Sequence, residues 1–273
     1  MSSHNASPLA EPLPWNLVAE GYAEQTAPFF RAYAADALKL VAPLEGRRVL
    51  DVAAGPGTLS LLAARDALQV HGVDFSTSMI EQLEAARRAE GIDNLSAQVA
   101  DGQNLPFEAA TFDVAFSMFG LIFFPDRHRG LCELHRVLAP GGELVVSSWV
   151  PLKENPLLLA ATERLADALG NYPLQPESAP LGEESAIREE FAAAGFKEIQ
   201  VQRVSHRPPL RDADELYRSM ERSAVPLVLL KHRLGEQWPA FAQSFRAGLQ
   251  RTLRPELFER PWPALLTKAR RSA

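Results

Sequence analysis

Three aspartates accompany consecutive strand-like segments in the first half of the chain, and a glycine-containing turn follows the first of them. Asp51 lies inside the apolar segment that precedes Gly55 and Gly57, Asp74 ends the second segment, and Asp101 follows the third. Ligands of open parallel sheets bind outside the carboxyl ends of the strands, where these residues fall. We therefore expect the three carboxylates to surround one pocket, with glycines that let the backbone approach a ligand closely.

Each carboxylate suits a different part of a nucleoside ligand. Asp74 comes 17 residues after Gly57, near the roughly 20 residues at which an acid binds ribose hydroxyls, although an acid before a helix also favours the helix dipole. Asp101, with Gly102 beside it, is placed to receive an adenine amino group. Asp51 would repel a pyrophosphate, but it could orient the turn and anchor a cationic amino-acid portion. A ligand with a positive charge, a ribose, an adenine and no phosphate is predicted, and S-adenosylmethionine has that description.

The glycine turn alone does not identify the ligand. Gly55 and Gly57 match the first two positions of the dinucleotide-binding pattern G-x-G-x-x-G, but Ser60 occupies the third. An NAD-dependent oxidoreductase is therefore disfavoured but stays an alternative. A non-catalytic protein that binds S-adenosylmethionine is a second one.

The elements that must position these residues alternate between strand and helix patterns, which is typical of a parallel sheet with helices on both faces. Ser76 is the expected N-cap of the helix after Asp74. Strands are predicted over 48–53, 70–74, 95–100, 112–117 and 143–149, and helices from residue 58, over 76–90 and over 126–138.

The flanking segments are mostly helical in pattern. Apolar and aromatic spacing predicts one or two helices over 15–40, further helices over 155–169, 187–194 and much of 212–258, strands over 196–204 and 264–269, and a proline-rich loop over 175–182. We therefore divide the chain into an N-terminal helical segment (1–40), a Rossmann-like domain that binds the nucleoside (41–204), a helical lid insertion (205–262) and a final strand (263–273). The amphipathic helices of the insertion could roof an apolar substrate or form the interface of a homodimer.

Four segments resemble the successive motifs of class I S-adenosylmethionine-dependent methyltransferases: VLDVAAGPGTLSLLAA, VHGVDFSTSMIEQLEAA, VADGQNLPFEAATFDVAFSMFGLIFFPD and ELHRVLAPGGELVVSSW. They are similar to the branch that includes the ubiquinone and menaquinone biosynthesis methyltransferases. The resemblance implies an α/β fold with a Rossmann-like seven-stranded sheet, the last strand antiparallel, and S-adenosylmethionine as cofactor. It also implies methyl transfer to O or C of a small, apolar or aromatic metabolite.

The resemblance further implies a role for individual residues of the cofactor site. On the methionine side, Asp51 would support the turn, and Ala53, Gly55 and Gly57 would line the methionine portion. On the adenosine side, Asp74 would bind the ribose, Phe75 and Met79 would flank the adenosine, and Asp101 and Gly102 would contact the adenine. Ser117 and Phe119 would lie near the transferred methyl group, and Tyr22 would close over the cofactor. Many members of the family have Gly or Cys where this chain has Ala53 and Ala54.

The methyl acceptor is less well defined by the sequence. Phe116, Phe119, Phe123 and Phe124 suit an apolar or aromatic acceptor, although each is also a candidate for core packing. No residue is assigned as a general base, which is needed only when the acceptor must lose a proton early. No pair of histidines has metal-ligand spacing, so no metal site is expected.

Composition limits the partners. The 273 residues are 47% hydrophobic and 23% charged and carry a net charge of −6, which gives no general attraction for nucleic acid or anionic membranes. No apolar run approaches the roughly 18 residues of a membrane span, no signal-peptide pattern is found, and the single Cys132 allows no disulfide. We expect a cytoplasmic protein whose partner is a small-molecule methyl acceptor.

Overall fold

The computed structural model describes residues 8–169 and 179–272. Their centre is a seven-stranded sheet with the strand order β3-β2-β1-β4-β5-β7-β6. Strands β1 to β5 pair in parallel, whereas β7 runs antiparallel to both β5 and β6. The expected α/β sheet with an antiparallel last strand is thus confirmed. The strands are β1 (Arg48–Val52), β2 (Gln69–Asp74), β3 (Leu95–Val99), β4 (Phe112–Met118), β5 (Leu138–Trp149), β6 (Phe196–His206) and β7 (Trp262–Arg271).

Helices cover both faces of the sheet and also form the segment between β6 and β7. The α-helices are α1 (Pro12–Gln25), α2 (Ala27–Lys39), α3 (Ser60–Ala63), α4 (Thr77–Ala89), α5 (Arg127–Val137), α6 (Pro156–Leu169), α7 (Glu184–Ala193), α8 (Ala213–Ser223), α9 (Val225–Leu234), α10 (Trp238–Thr252) and α11 (Pro255–Phe258). Short 3₁₀ turns occur at Pro8–Ala10, Leu121–Phe123, Leu152–Glu154 and Gly235–Gln237. Residues 175–178 of the predicted proline-rich loop lie outside the described residues.

Local sequence signals explain most element boundaries. The Ser76 hydroxyl accepts a hydrogen bond from the Met79 amide at 3.1 Å, as the N-cap of α4 should. Two predictions differ from the structure: the helix expected from residue 58 is a single turn, and β5 begins before the proline-glycine segment rather than after it. The reason for the second is an irregular register, since Phe112 pairs with Leu138 while Val114 pairs with Glu143.

Alternating strand residues send apolar side chains to opposite faces of the sheet. Leu50 packs into a cluster with residues of α5 and α7, whereas its neighbour Val49 packs into a cluster with residues of α2 and α4. Both side chains are fully buried. Because the sheet is covered on both faces, open space for a ligand is expected at the edge where the strands end.

The helices between β6 and β7 have an apolar core of their own. Leu216, Leu227 and Leu249 are buried there together with Leu157 of α6. Within residues 8–169 and 179–272, no helix combines the length and apolar character that crossing a bilayer requires. The four-part division of the chain and the lid role of the insertion remain predictions.

Candidate functional site

Two adjoining cavities lie at the carboxyl edge of the sheet and share walls formed by the turn after β1 and the end of β4. The larger has about 1100 Å³ of space including its open mouth, and the smaller about 390 Å³. The turn reaches both cavities because Gly55 adopts a positive φ of 55°, with open space where a side chain would be. Among the predicted site residues, the larger cavity is lined by Tyr22, Ala53, Gly55, Asp74, Phe75, Met79, Asp101, Gly102 and Phe119, and the smaller by Asp51, Tyr22, Ala53, Gly55 and Phe119.

Asp74 is held rigidly at the end of β2. Its Oδ2 accepts a hydrogen bond from the Gly55 amide at 2.8 Å, and its Oδ1 accepts one from the Ser76 amide at 2.9 Å. The residue is only 6% exposed, and burial raises the pKa of its carboxyl to about 6 in spite of these amide hydrogen bonds. A carboxylate has about four acceptor sites, so Asp74 keeps acceptor capacity for a ligand in the cavity.

Asp51 lies beneath the glycine turn and is buried to 1% exposure. Its Oδ2 accepts a hydrogen bond from the Ser60 hydroxyl at 2.6 Å, whereas its buried Oδ1 has no hydrogen-bond partner among the described residues. Burial, with a smaller contribution from the charge of Asp74, raises the pKa of Asp51 to about 7. Ser60, which stands in place of the third glycine, thus has a defined role as hydrogen-bond donor to Asp51. Oδ1 of Asp51 remains for a cationic or hydrogen-bonding group in the smaller cavity, which Asp51 lines.

Asp101 and Gly102 meet the cavity differently from one another. Asp101 is exposed, and its Oδ1 accepts hydrogen bonds from the Gln103 amide at 2.8 Å and side chain at 3.2 Å. Gly102 is buried, and a Cβ there would lie 2.4 Å from Cζ of Phe124 and 2.8 Å from Cγ1 of Val52. Glycine is therefore required at this position by packing, apart from any adenine ring it would accommodate.

Two of the predicted residues, Gly57 and Ser117, do not line either cavity. Gly57 has a φ of 88°, and a Cβ there would lie 2.7 Å from Cγ of Leu83, so it permits close packing of the turn on α4. Ser117 is fully buried, and its hydroxyl accepts a hydrogen bond from the Leu121 amide at 3.2 Å. Both residues shape the backbone next to the site, and the ligand contact expected for them stays a prediction.

The N-terminal helices supply the wall opposite the sheet. Asn16 Oδ1 accepts hydrogen bonds from the Ser76 hydroxyl at 2.7 Å and the Ser78 amide at 3.2 Å, which fastens α1 to the start of α4. Burial, and secondarily the charge of Asp74, hold the pKa of the Tyr22 hydroxyl well above its usual value. Tyr22 therefore remains a neutral side chain in the cavity wall.

Aromatic side chains form much of the wall of the larger cavity. The Phe119 ring stacks on Trp149, with ring centroids 4.3 Å apart, and lies 4.9 Å from Phe30. Trp15 meets Phe123 edge to face at 5.0 Å. Sequence reasoning missed Trp15, Phe30 and Trp149 as lining residues because their spacing in helices and strands is that of ordinary core residues.

Not every phenylalanine singled out from the sequence belongs to this aromatic end. Phe123 and Phe124 line the larger cavity, whereas Phe116 is fully buried in the core on the α2–α4 face of the sheet. Phe119 has a φ of 55° and Ala53 one of 57°, conformations that are costly for residues with a Cβ. Strained backbone of this kind concentrates at ligand sites.

The charged side chains among the described residues that line the site are all acidic. Among residues 8–169 and 179–272, the side chains that line the two cavities include Asp51, Asp74 and Asp101 but no lysine, arginine or histidine. No group of three His, Cys, Asp or Glu side chains in this described part of the chain is arranged to hold a metal ion. The site therefore favours cationic or neutral ligands over anionic ones.

Comparison with known proteins agrees with this geometry. Residues 49–142 match the methyltransferase domain family. The demethylmenaquinone methyltransferase of Clavibacter sepedonicus is 42% identical over 108 residues, which are 40% of this chain and 43% of that protein. The chain thus spans less than half the length of the curated relatives it matches.

Solved structures resemble the fold over a longer range. The phosphoethanolamine N-methyltransferase 2 of Haemonchus contortus, solved with phosphomonomethylethanolamine and S-adenosylhomocysteine, superposes with a TM-score of 0.61 at 20% identity, covering 98% of this chain and 61% of that one. The [4+2]-cyclase SpnF superposes with a TM-score of 0.59 at 21% identity, covering 89% and 81%. At such identities the likeness concerns the fold alone.

The fold and the sequence match together define the class. Residues 49–142 match a methyltransferase domain, and they lie within the Rossmann-like sheet described above. Within that class, its matched segment is similar to demethylmenaquinone methyltransferases. The resemblance noted from the sequence motifs is therefore confirmed at the level of the class.

Proposed function

We propose that this protein is an S-adenosylmethionine-dependent methyltransferase that moves a methyl group to O or C of a small, apolar or aromatic metabolite. The observation that carries the proposal is the pair of buried carboxylates on either side of the Gly55 turn. Asp74 is fixed by two backbone amides with acceptor capacity left over. Asp51 has an oxygen without a partner among the described residues.

The parts of S-adenosylmethionine fit this arrangement one by one. Asp74 offers acceptors to the two ribose hydroxyls, Asp101 offers one at the mouth to the adenine amino group, and Asp51 lies beside the smaller cavity, where the cationic methionine portion fits. The aromatic and sulfur-containing walls at Phe75 and Met79 suit the faces of the adenosine. We assign the adenosine to the larger cavity and the methionine portion to the smaller one.

The two alternative functions are less well supported. NAD carries a pyrophosphate, and two buried carboxylates near the glycine turn oppose an anion there, because no lysine, arginine or histidine of the described residues lines either cavity. A binding protein without catalysis would need no room beyond the cofactor. The larger cavity is also lined by aromatic residues that the cofactor assignment does not use, among them Trp149, and we assign this part of it to the acceptor.

The reaction places few chemical demands on the protein. When bound, S-adenosylmethionine supplies an electrophilic methyl group on a positively charged sulfonium. The chain's own residues orient the acceptor, exclude water with the aromatic rings of Phe119 and Trp149, and hold the cation between carboxylates and π faces. Because the lining aspartates are assigned to the cofactor and no histidine or lysine of the described residues lines either cavity, we propose an acceptor that needs little help to lose its proton, such as a phenol or an enol.

The walls also define the acceptor class. Stacked aromatic rings favour a flat, apolar or aromatic molecule, and the absence of cations among the described lining residues disfavours carboxylates and phosphates. The Clavibacter relative is named for methylation of demethylmenaquinone. Because only part of that protein is matched, the proposal depends on the cavity walls and leaves the individual acceptor open.

The test is a calorimetric titration of the purified protein with S-adenosylhomocysteine and, separately, with NAD. We expect micromolar-range binding of the first and none of the second. A second step follows transfer of a labelled methyl group to a panel of phenols, enols, amines and carboxylates, of which the first two classes should react. Preference for NAD would refute the cofactor assignment, and labelling of carboxylates alone would refute the acceptor class.

A further inference from the structure

No described residue of the helical insertion lines either of the two cavities, and the roof and the dimer interface predicted as its alternative roles both stay predictions. Among residues 8–169 and 179–272, every residue that lines the two cavities falls between Ala10 and Trp149. The outer wall comes instead from α1, through Trp15 and Tyr22. The insertion contacts α1 itself: Val225 and Val228 of α9 share an apolar cluster with α1 residues, so its relation to the site is indirect.

Gly21 marks where the insertion meets α1. It is buried in the last turns of α1, and a Cβ at this position would lie 2.1 Å from the carbonyl oxygen of Arg222, 2.7 Å from its carbonyl carbon and 3.0 Å from its Cβ. The first two of these atoms are backbone and cannot rotate away. Glycine normally destabilises a helix interior, so its presence here is explained by the contact with α8. The neighbouring residue Tyr22 faces the cavities.

A small apolar cluster continues the same interface along α9. Val18 and Ala19 of α1 are buried against Val225 and Val228 of α9. Trp15 and Tyr22 pack against the edge of this cluster. The two aromatic residues that line the larger cavity are therefore in contact with the same apolar cluster as α9 of the insertion.

The other side of α1 is fixed to the cofactor side of the domain. Asn16 is bonded to Ser76 and Ser78 at the start of α4, two and four residues after Asp74. Met79, which lines the larger cavity, belongs to the same apolar cluster as Val228. Helix α1 is thus clamped between α4 and the pair α8–α9.

From the backbone crossing at Gly21 and the cluster around Val228, we infer that the insertion is a buttress, whose α8 and α9 set the depth of α1 and thereby the positions of Trp15 and Tyr22 over the ligand. Gly21 and Val228 are positioning residues that act through α1 without touching the ligand. The predicted effect on ligand affinity rests on the proposed function, whereas the predicted effect on the order of α1 does not.

The experiment compares two matched pairs of variants in the full chain. Val228→Ala removes support for α1, while Leu230→Ala truncates a similarly buried residue two positions along α9 that packs instead into the insertion's own core. Gly21→Ala forces α1 and α8 apart. Its control is Gly248→Ala in α10, where a Cβ would have no atom within 4 Å.

Two readouts are taken for each variant: the Kd of S-adenosylhomocysteine, and amide hydrogen exchange of residues 12–25 without ligand. Val228→Ala and Gly21→Ala should weaken binding by about threefold to tenfold and speed exchange in residues 12–25, whereas both controls should leave the two readouts unchanged. Equal effects of Val228→Ala and Leu230→Ala would overturn the buttress, because affinity would then follow overall stability. If Gly21→Ala does not fold, the comparison of Val228→Ala with Leu230→Ala is sufficient to test the buttress.

Failure of the proposed function has a different signature. If the wild-type protein does not bind S-adenosylhomocysteine, the cofactor assignment is wrong, and the exchange measurement alone judges the buttress. Faster exchange of residues 12–25 in Val228→Ala but not in Leu230→Ala would then still support it. Unchanged exchange in both variants would overturn it.

Discussion

Replacing Asp74 by asparagine separates what this residue does for the ligand from what it does for the fold. Burial raises its pKa from 3.8 to about 6, so the ionised carboxylate destabilises the folded protein at pH 8 by about 3 kcal/mol. Asparagine removes that penalty. Its amide group can accept from only one of the Gly55 and Ser76 amides, and the other donor, left unpaired, costs about 1–3 kcal/mol. The two effects offset each other, and we expect little change in the free energy of unfolding at pH 8.

The effect of the same substitution on affinity should be large. Hydrogen bonds from the two ribose hydroxyls to a carboxylate contribute about 1.5–3 kcal/mol each. The introduced asparagine would keep one neutral acceptor, so we expect a loss of about 2–4 kcal/mol, which raises the Kd of S-adenosylhomocysteine roughly 30- to 1000-fold. A large change in affinity with little change in stability is the expected result for Asp74→Asn.

The assay pairs calorimetric titration with urea unfolding at pH 8, and Asp113→Asn is the control. Asp113 accepts hydrogen bonds from the Arg48 amide at 2.8 Å, Nε at 3.1 Å and Nη2 at 3.0 Å, at the amino end of β4. Its replacement should lower stability and leave the affinity unchanged. A Kd for Asp74→Asn within about threefold of the wild-type value would refute the assignment of the ribose to Asp74.

Three further predictions concern pH, the strained turn and the aromatic wall. Affinity for S-adenosylhomocysteine should rise between pH 5 and 8 as Asp74 and Asp51 ionise, with pKa values of about 6 and 7. The unliganded protein should lose stability over the same pH range, because raised carboxyl pKa values make the folded state bind more protons than the unfolded state. A Kd that does not change with pH in calorimetry would contradict this prediction. Gly120→Ala would place a Cβ 2.3 Å from that of Ala53 and should lower the free energy of unfolding, measured with urea, by about 1–3 kcal/mol. Adding Ala53→Gly should recover most of this stability. No recovery in the double variant would mean that the clash lies elsewhere. Trp149→Ala should raise the KM of an aromatic acceptor about tenfold in steady-state kinetics with little change in the Kd of S-adenosylhomocysteine, and an effect on the Kd alone would move Trp149 to the cofactor side.

Much of the ligand edge could be predicted from local signals. The spacing of Asp51, Asp74 and Asp101 relative to strand patterns places them at one edge of a sheet, because the ends of parallel strands meet there. The N-cap at Ser76 was equally readable, since its side chain bonds within its own helix. These features depend on residues a few positions apart in the chain.

Other features of the site could not be read in this way. Ser60 looked like a missing glycine, but its hydroxyl bonds to Asp51, a contact that exists only once the turn has folded. Gly57 looked like a ligand-contacting residue, but the neighbour that excludes a side chain there is Leu83 of α4. A glycine or serine looks the same in the sequence whether its close neighbour in the folded protein is a ligand or another helix.

The amino-acid sequence was sufficient to predict the class of fold, the carboxylate set and the aromatic content, because periodicity, capping and residue type are properties of short stretches of chain. Which aromatic rings line the cavity depends instead on how distant segments pack together. Trp15 and Trp149 are far apart in sequence and meet at one cavity because α1 docks on α4 and β5 ends at the same edge as β1. The tertiary structure also brought α8 of the insertion against α1, since the close approach at Gly21 depends on the contact of two helices some two hundred residues apart.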